Sequence, residues 1–190
     1  MFNWGGYIST TKNRPPRQLL VQAIKDVKNT EIALDLGAGA LNDSKYLLEQ
    51  GFKRVIAVDI EENLELSNNI DKWRFSFKKV AIENYDFLSN TFDLINAQFV
   101  LPFIPREKIE SAIDNIKHSL KNDGIFVGQF FGINDDWKNK PGVCIYTKQK
   151  IEELLFNLDI VYFREEEKDG KTAMGKEKHW HIFNFITKKR

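Results

Sequence analysis

The stretch Ala33-Leu34-Asp35-Leu36-Gly37-Ala38-Gly39-Ala40-Leu41-Asn42 decides the fold: an apolar strand runs into a two-glycine turn and then into a helical pattern. Gly37 and Gly39 permit a tight turn and let a ligand approach bare backbone. Asp59 follows 22 residues after Gly37, at the end of the next apolar run, Val55-Ile56-Ala57-Val58. A carboxylate about 20 residues past such a turn is placed to hold the two hydroxyls of a ribose. The pattern predicts an adenosine-type ligand at the switch point of an open α/β sheet.

On either side, short apolar runs alternate with helical patterns. Ile32–Leu36, Arg54–Val58, Phe92–Asn96 and Gly124–Gln129 read as buried strands, with a weaker one at Phe75–Val80. Helical spacing covers Asp43–Gln50, Glu61–Asn69 and Arg106–Leu120, the last with Ile109, Ala112, Ile113, Ile116 and Leu120 as its apolar stripe. Strands alternating with helices argue for a parallel sheet covered on both faces. Beyond it come a helix over about 148–157 (Ile151, Leu154, Leu155, Leu158) and two strand candidates, Asp159–Arg164 and Trp180–Thr187. The polar stretch Glu165–Lys178 between them has no helical pattern, which suits a hairpin better than a crossover. The last strand should therefore run antiparallel and start beside the edge where the parallel strands end. The run Arg164-Glu165-Glu166-Glu167-Lys168-Asp169 reads as a solvated part of that hairpin.

Ahead of the glycine turn, Trp4 to Arg17 is rich in Gly, Thr, Asn and Pro and lacks apolar periodicity. It reads either as a disordered tail or as an ordered lid carrying Trp4 and Tyr7. Pro15 and Pro16 can open a helix over about 16–28, with Leu19, Leu20, Ala23, Ile24 and Val27 on its apolar side. The expected organisation is one domain over 1–190, with 1–17 as lid and 18–190 as core.

Composition narrows the function classes. The 190 residues carry 28 Lys and Arg against 27 Asp and Glu, a net charge of +1. Proteins that live on nucleic acid or anionic lipid usually carry a larger cationic excess, so neither is expected as a partner. Cys144 is the only cysteine, which excludes an intramolecular disulfide and any multi-cysteine zinc site. No apolar run reaches the ~20 residues that span a bilayer, and Met1 to Gly6 lacks the basic and apolar regions of a signal peptide. The expected compartment is reducing cytoplasm, and the expected assembly a monomer or homodimer.

Charge also separates the candidate ligands. A dinucleotide site usually has a third glycine three residues after the second, where this chain has Asn42. Asp35, two residues before Gly37, would stand beside a pyrophosphate, which is electrostatically unfavourable. Beside a cation it is favourable. S-adenosylmethionine (SAM) has an adenosine, an ammonium and a sulfonium but no phosphate, and is preferred over NAD.

At these residues the chain resembles the class I SAM-dependent methyltransferases, whose first motif reads acidic-x-Gly-x-Gly at the end of strand one. Asp35-Leu36-Gly37-Ala38-Gly39 matches that motif and Asp59 the ribose acid. Val80-Ala81-Ile82-Glu83 looks like the adenine-edge segment, Phe92-Asp93-Leu94-Ile95-Asn96-Ala97 like motif four, and Leu120-Lys121-Asn122-Asp123-Gly124-Ile125-Phe126-Val127 like the entry to strand five. Two places depart from the pattern: Leu41 stands where an extra glycine often follows, and Ala81 where an aspartate usually meets the adenine amino group. Glu83 or a backbone carbonyl could replace that contact. Within the family the chain is most similar to small tellurite-resistance-like and related small-molecule methyltransferases, through Trp4-x-x-Tyr7, Arg14-Pro15-Pro16, Leu101-Pro102-Phe103, Gly128-Gln129-Phe130-Phe131-Gly132 and Lys178-His179-Trp180-His181.

The resemblance implies a Rossmann-like doubly wound sheet of order 3-2-1-4-5-7-6, mostly parallel with an antiparallel last strand. It also implies methyl transfer from SAM, leaving S-adenosylhomocysteine, to an O, N or S nucleophile of a small-molecule acceptor. The cofactor-side candidates are Asp35, Gly37, Ala38, Gly39, Asp59, Ile60, Ile82, Glu83 and Asn96. Arg14 is either a solvated loop charge or a clamp on the methionyl carboxylate, since a guanidinium matches a carboxylate in a fork. On the acceptor side, Trp4 and Tyr7 either pack the lid or face the sulfonium as a cation–π wall. Asn96 and Gln98 either orient an acceptor or satisfy a turn, and Phe103 shapes the wall. His179 and His181, two apart on a strand and so on one face, are the candidate general bases. No metal is expected. An NAD(P)-dependent oxidoreductase and a non-catalytic SAM-binding protein are the alternatives.

Overall fold

The computed structural model describes residues 2–190. Strand β1 (Ile32–Leu36) lies at the centre, between β2 (Arg54–Asp59) and β4 (Phe92–Ala97), with β3 (Phe75–Lys79) outside β2, all parallel. β5 (Leu120–Gly132) runs parallel to β4, and β8 (Glu177–Lys189) runs antiparallel to β5 with β7 (Leu158–Lys171) at the edge. A two-residue strand, β6 (Ile145–Tyr146), pairs with β5 past the end of β4. The order β3-β2-β1-β4-β5-β8-β7 is the expected one once β6 is counted.

The inner parallel strands are buried and mainly apolar because both faces are covered, whereas edge strand β3 ends in exposed lysines. Leu34, Leu36, Ile95 and Phe126 pack on one side with Ile109, Ile113 and Ile116 of α5 (Ile109–Ser119) and with Ile151 of α6 (Lys148–Leu154). Ala33, Val55, Leu94 and Val127 pack on the other with Leu20 of α2 (Gln18–Ala23) and Leu47 of α3 (Asn42–Glu49). Successive residues alternate faces, so Ala33 and Leu34 belong to different cores. Among the described residues no helix is long and apolar enough to cross a membrane.

Three expectations change and one alternative is decided. Trp4 to Arg17 is the ordered of its two readings: α1 spans Trp4–Thr11, opened by Asn3, whose side chain accepts from Gly6 N. The helix expected over 16–28 is shorter, α2 followed by a 3-10 turn at Ile24–Asp26. The pattern over Glu61–Asn69 yields only α4 (Leu64–Asn68), because Asn63 caps it late through Leu66 N. The polar stretch Glu165–Lys178 is mostly strand rather than connection. β7 and β8 pair from Leu158↔Lys189 to Lys171↔Glu177, and the turn is confined to Thr172–Lys176. This hairpin outruns the sheet, so its far half has no core to bury and carries charge.

Candidate functional site

A cleft of about 1550 Å³ runs along the C-terminal ends of the parallel strands, the place where an open α/β sheet receives ligands. One end is lined by Gly37, Gly39, Asp59, Ile60 and Val80 to Glu83. The other is lined by the residues after β4 and β5 and by the inward side of the β7–β8 hairpin.

The glycine turn is fixed by backbone geometry. Gly37 N and Ala38 N both donate to Val58 O, at 2.8 and 3.2 Å. Gly37 and Gly39 have φ of 68° and 50°, in the left-handed region. A Cβ at Gly37 would lie 2.6 Å from Val100 Cβ, whereas one at Gly39 would meet only Tyr7 Cε1 at 3.6 Å and Gly37 O at 3.9 Å. Gly37→Ala should therefore cost about 2–4 kcal/mol, from left-handed strain plus overpacking. Gly39→Ala should cost only the strain, about 1–2 kcal/mol. Denaturant midpoints of the two variants check the difference. Leu41 also holds a left-handed φ of 63°, where the expected pattern would use glycine.

Asp59 ends β2 with Oδ2 accepting from Gly39 N at 2.8 Å and Oδ1 from Glu61 N at 3.0 Å. Burial raises its pKa, against the pull of these backbone donors. Asp35 behaves differently from expectation. It is buried beneath the turn and does not line the cleft; Ser44 Oγ donates to Oδ2 at 2.5 Å and Asn96 Nδ2 to Oδ1 at 2.7 Å. Burial, and then the charge of Asp43, push its pKa up to about 7. Asp35 can act on a ligand only through its field. Asn96 likewise bonds Asp35 and Gln98 rather than facing the cleft, and Ala38 is buried within the turn.

Helix α1 is docked by Asn42 Nδ2, which donates to Thr11 O at 2.8 Å. It brings Tyr7 over Gly39, and Arg17 Nη2 donates to Tyr7 Oη at 2.9 Å. Arg14 Nη2 and Arg17 Nε each lie 3.6 Å from Asp43 Oδ2, and Arg17 N donates to Asp43 Oδ1 at 2.9 Å. Arg14 lines the cleft with its Nε buried and without a partner. Burial also lowers the pKa of Arg17, whose guanidinium lies 4.4 Å from the Phe99 ring centre.

Seven aromatic rings line the acceptor end: Phe2, Trp4, Phe99, Phe103, Phe131, Trp137 and Trp180. They meet mostly edge to face, as quadrupoles prefer, with Phe103 5.1 Å from both Phe2 and Trp4 and Trp180 5.9 Å from Phe131. Trp4 therefore packs the lid against Phe103. Phe99, Phe131, Trp137 and Trp180 are wall residues that sequence reasoning did not single out as site residues. Phe131 and Trp180 stand in the blocks that carry the family resemblance; for Phe99 and Trp137 the advance signal is the aromatic content of 13%. Gln98 lines the same end.

His179 and His181 require correction. The cleft is lined by Trp180, Ile182 and Asn184 of β8, and alternation sends both histidines to the opposite face. His181 Nδ1 accepts from Asn134 N at 3.1 Å and Nε2 lies 3.0 Å from Glu165 Oε1, so both ring nitrogens are engaged. That arrangement leaves the Glu165, Glu167 and His181 cluster without a free imidazole lone pair for a cation. His179 is partly exposed against Asp169 and Glu167, which raise its pKa through hydrogen bonds. Neither is placed to take a proton in the cleft.

Comparison with known proteins agrees with this architecture. The profile of the methyltransferase domain matches residues 34–128. The human mitochondrial arginine-hydroxylase NDUFAF5 is 32% identical over 106 residues, which are 55% of this chain and 30% of that one. The chain thus spans under a third of the curated relatives it matches. Among solved structures, the Burkholderia thailandensis 1,6-didemethyltoxoflavin-N1-methyltransferase, with 1,6-didemethyltoxoflavin and S-adenosylhomocysteine bound, superposes with a TM-score of 0.71 at 21% identity, over 91% of this chain and 77% of that one. TehB from Haemophilus influenzae gives 0.71 at 19% identity, over 92% and 62%.

Proposed function

The chain belongs to the methyltransferase-domain family, and from that premise we propose that it moves a methyl group from SAM to a nucleophile on a small-molecule acceptor. The observation that carries this reading is one cleft with two chemically different ends. A single-ligand pocket is about 300–1,000 Å³, and this one at about 1550 Å³ has room for two ligands side by side. The neighbour from Burkholderia thailandensis holds two.

The residues fit SAM. Asp59 stands at the strand end for the ribose hydroxyls, Ile82 and Glu83 lie beside the adenine position, and the bare face of Gly39 leaves the backbone approachable. The unpartnered Arg14 Nε suits the methionyl carboxylate. They do not fit a pyrophosphate, because Asp43 already occupies the first turn of α3, bonded to Arg17 N. Asp43 makes no cap bond to the α3 backbone, but its carboxylate in the first turn and that of Asp35 beneath the glycine turn both oppose a pyrophosphate there. This weighs against the oxidoreductase alternative.

SAM supplies an already activated methyl on a sulfonium. The protein's own part is approach geometry and exclusion of water. Helix α1 covers the glycine turn through Tyr7, so residues 1–17 act as the lid on a core of 18–190. A proton displaced from the acceptor meets Glu166, whose Oε2 accepts from Asn184 Nδ2 at 3.1 Å on the cleft side of the hairpin. Glu166 replaces the histidines in that role.

Calorimetric titration with SAM tests the cofactor assignment. Asp59→Ala should weaken binding by about 1–3 kcal/mol, the scale of losing charged hydrogen bonds. An unchanged affinity in that variant refutes the role of Asp59, and no binding to the native chain refutes the function.

A further inference from the structure

The acceptor end of the cleft has a floor of uncharged amides whose polarity is fixed. The Asp35 Oδ1 oxygen accepts, so Asn96 must turn its Nδ2 toward it, at 2.7 Å. Asn96 Oδ1 then faces Gln98 Nε2 at 2.8 Å. Gln98 Oε1 is left as a buried acceptor with no partner, on a side chain that lines the cleft and is 4% exposed. A second chain of bonds is fixed the same way. Gln129 Oε1 takes the Phe99 backbone N–H at 3.1 Å, so its Nε2 donates to Asn184 Oδ1 at 3.0 Å. An orphaned buried acceptor is costly, and a ligand that donates to it recovers that cost.

The walls above this floor select shape and charge. Phe99, Phe131 and Trp180 lie 5.9 to 6.3 Å apart and line the cleft, a set of flat surfaces suited to a flat ring. Trp180 and Phe131 already carry a cation: Lys178 Nζ lies 3.6 and 4.9 Å from their centres. A second cation would compete for the same electron density, so a positively charged acceptor is disfavoured. The lysines that line the cleft, among them Lys140 and Lys168, are exposed at its rim, where water screens them and an anion gains little.

Resting on the methyltransferase reading, we propose that the acceptor is an uncharged, flat N-heterocycle that stacks among Phe99, Phe131 and Trp180 and donates a ring N–H to Gln98 Oε1. The test is binding to protein saturated with S-adenosylhomocysteine at pH 6.5, followed by tryptophan fluorescence and calorimetry. The probes are lumazine and xanthine as flat N–H donors, fully N-methylated lumazine as the ring without a donor, phenethylammonium as cation and benzoate as anion. Lumazine or xanthine should bind at least ten-fold more tightly than the other three. Gln98→Leu should erase the preference for the N–H form while leaving S-adenosylhomocysteine affinity intact, and that retained affinity shows the variant is folded. If the cofactor product binds but the N–H heterocycles bind no better than the controls, or Gln98→Leu leaves the preference unchanged, the acceptor assignment is overturned and the methyltransferase reading stands. If neither SAM nor its product binds the native chain, both fall together.

Discussion

Asp35→Asn is expected to stabilise the fold by about 2–3 kcal/mol at pH 8 and to bring no gain at pH 4. Burial pushes the Asp35 carboxyl from an ordinary 3.8 up to about 7. Between those values the unfolded chain has released this proton and the folded chain still holds it, burial outweighing the Ser44 and Asn96 bonds that favour the carboxylate. Stability therefore falls as pH rises through this window and stays low above about 7. The full shift is worth about 4 kcal/mol, of which refitting Asn to Ser44 and Asn96 returns about 1–2. Denaturant melts of both proteins at pH 4 and pH 8 decide it; equal differences at the two values would mean that Asp35 ionises as easily as it does in water. The same variant should bind SAM more weakly, because it removes a carboxylate buried beneath the glycine turn that adds its field to that of Asp59, whose Oδ2 accepts from Gly39 N at 2.8 Å.

The parallel half of the molecule was legible because its inner strands are buried on both faces and read as mainly apolar runs; edge strand β3, Phe75–Lys79, has its last two residues exposed and gave the weaker signal. Ile32–Leu36 was bounded to the residue. Asp59 was singled out for a different reason, its place 22 residues after Gly37 at the end of an apolar run, and it does end β2 against Gly39 N. The C-terminal hairpin was not, because beyond Arg164 its strands leave the sheet and lose the apolar period that marks a strand. Trp4–Thr11 was hidden by Gly5 and Gly6, which are weak helix formers, and its order comes from the Phe103 and Trp137 contacts of Phe2 and Trp4. The histidines show a subtler loss. Sequence fixes that His179 and His181 share a face, but not which face. Trp180, Ile182 and Asn184 on one side and His181, Phe183 and Phe185 on the other offer no polar contrast, so only the pairing of Asn184 with Gln129 shows which side meets the cleft.

Lys178→Met should be the most damaging single change, at about 3–5 kcal/mol. The Lys178 and Asp135 side chains are 1% and 0% exposed, and Nζ lies 2.5 Å from both carboxylate oxygens. Removing the ammonium strands a buried carboxylate, which costs far more than the pair itself contributes. Asp135 also accepts the Trp137 N–H at Oδ1 and the His181 N–H at Oδ2, at 2.9 and 3.2 Å; an asparagine there carries no charge and keeps one of these bonds, while its NH2 faces the other donor. The double variant Lys178→Met with Asp135→Asn should therefore recover part of the loss, measured by denaturant midpoint, the rest being the unsatisfied backbone donor; a double variant no better than the single would show that stranded charge is not the cost. The recovered protein also carries a consequence for the cleft. With no ammonium 3.6 Å from the Trp180 ring centre, the aromatic wall regains its full attraction for cations. N-methylpyridinium should then bind the double variant more tightly than the native chain, because the same rings that now stack on a buried lysine would be free to stack on a charged ligand.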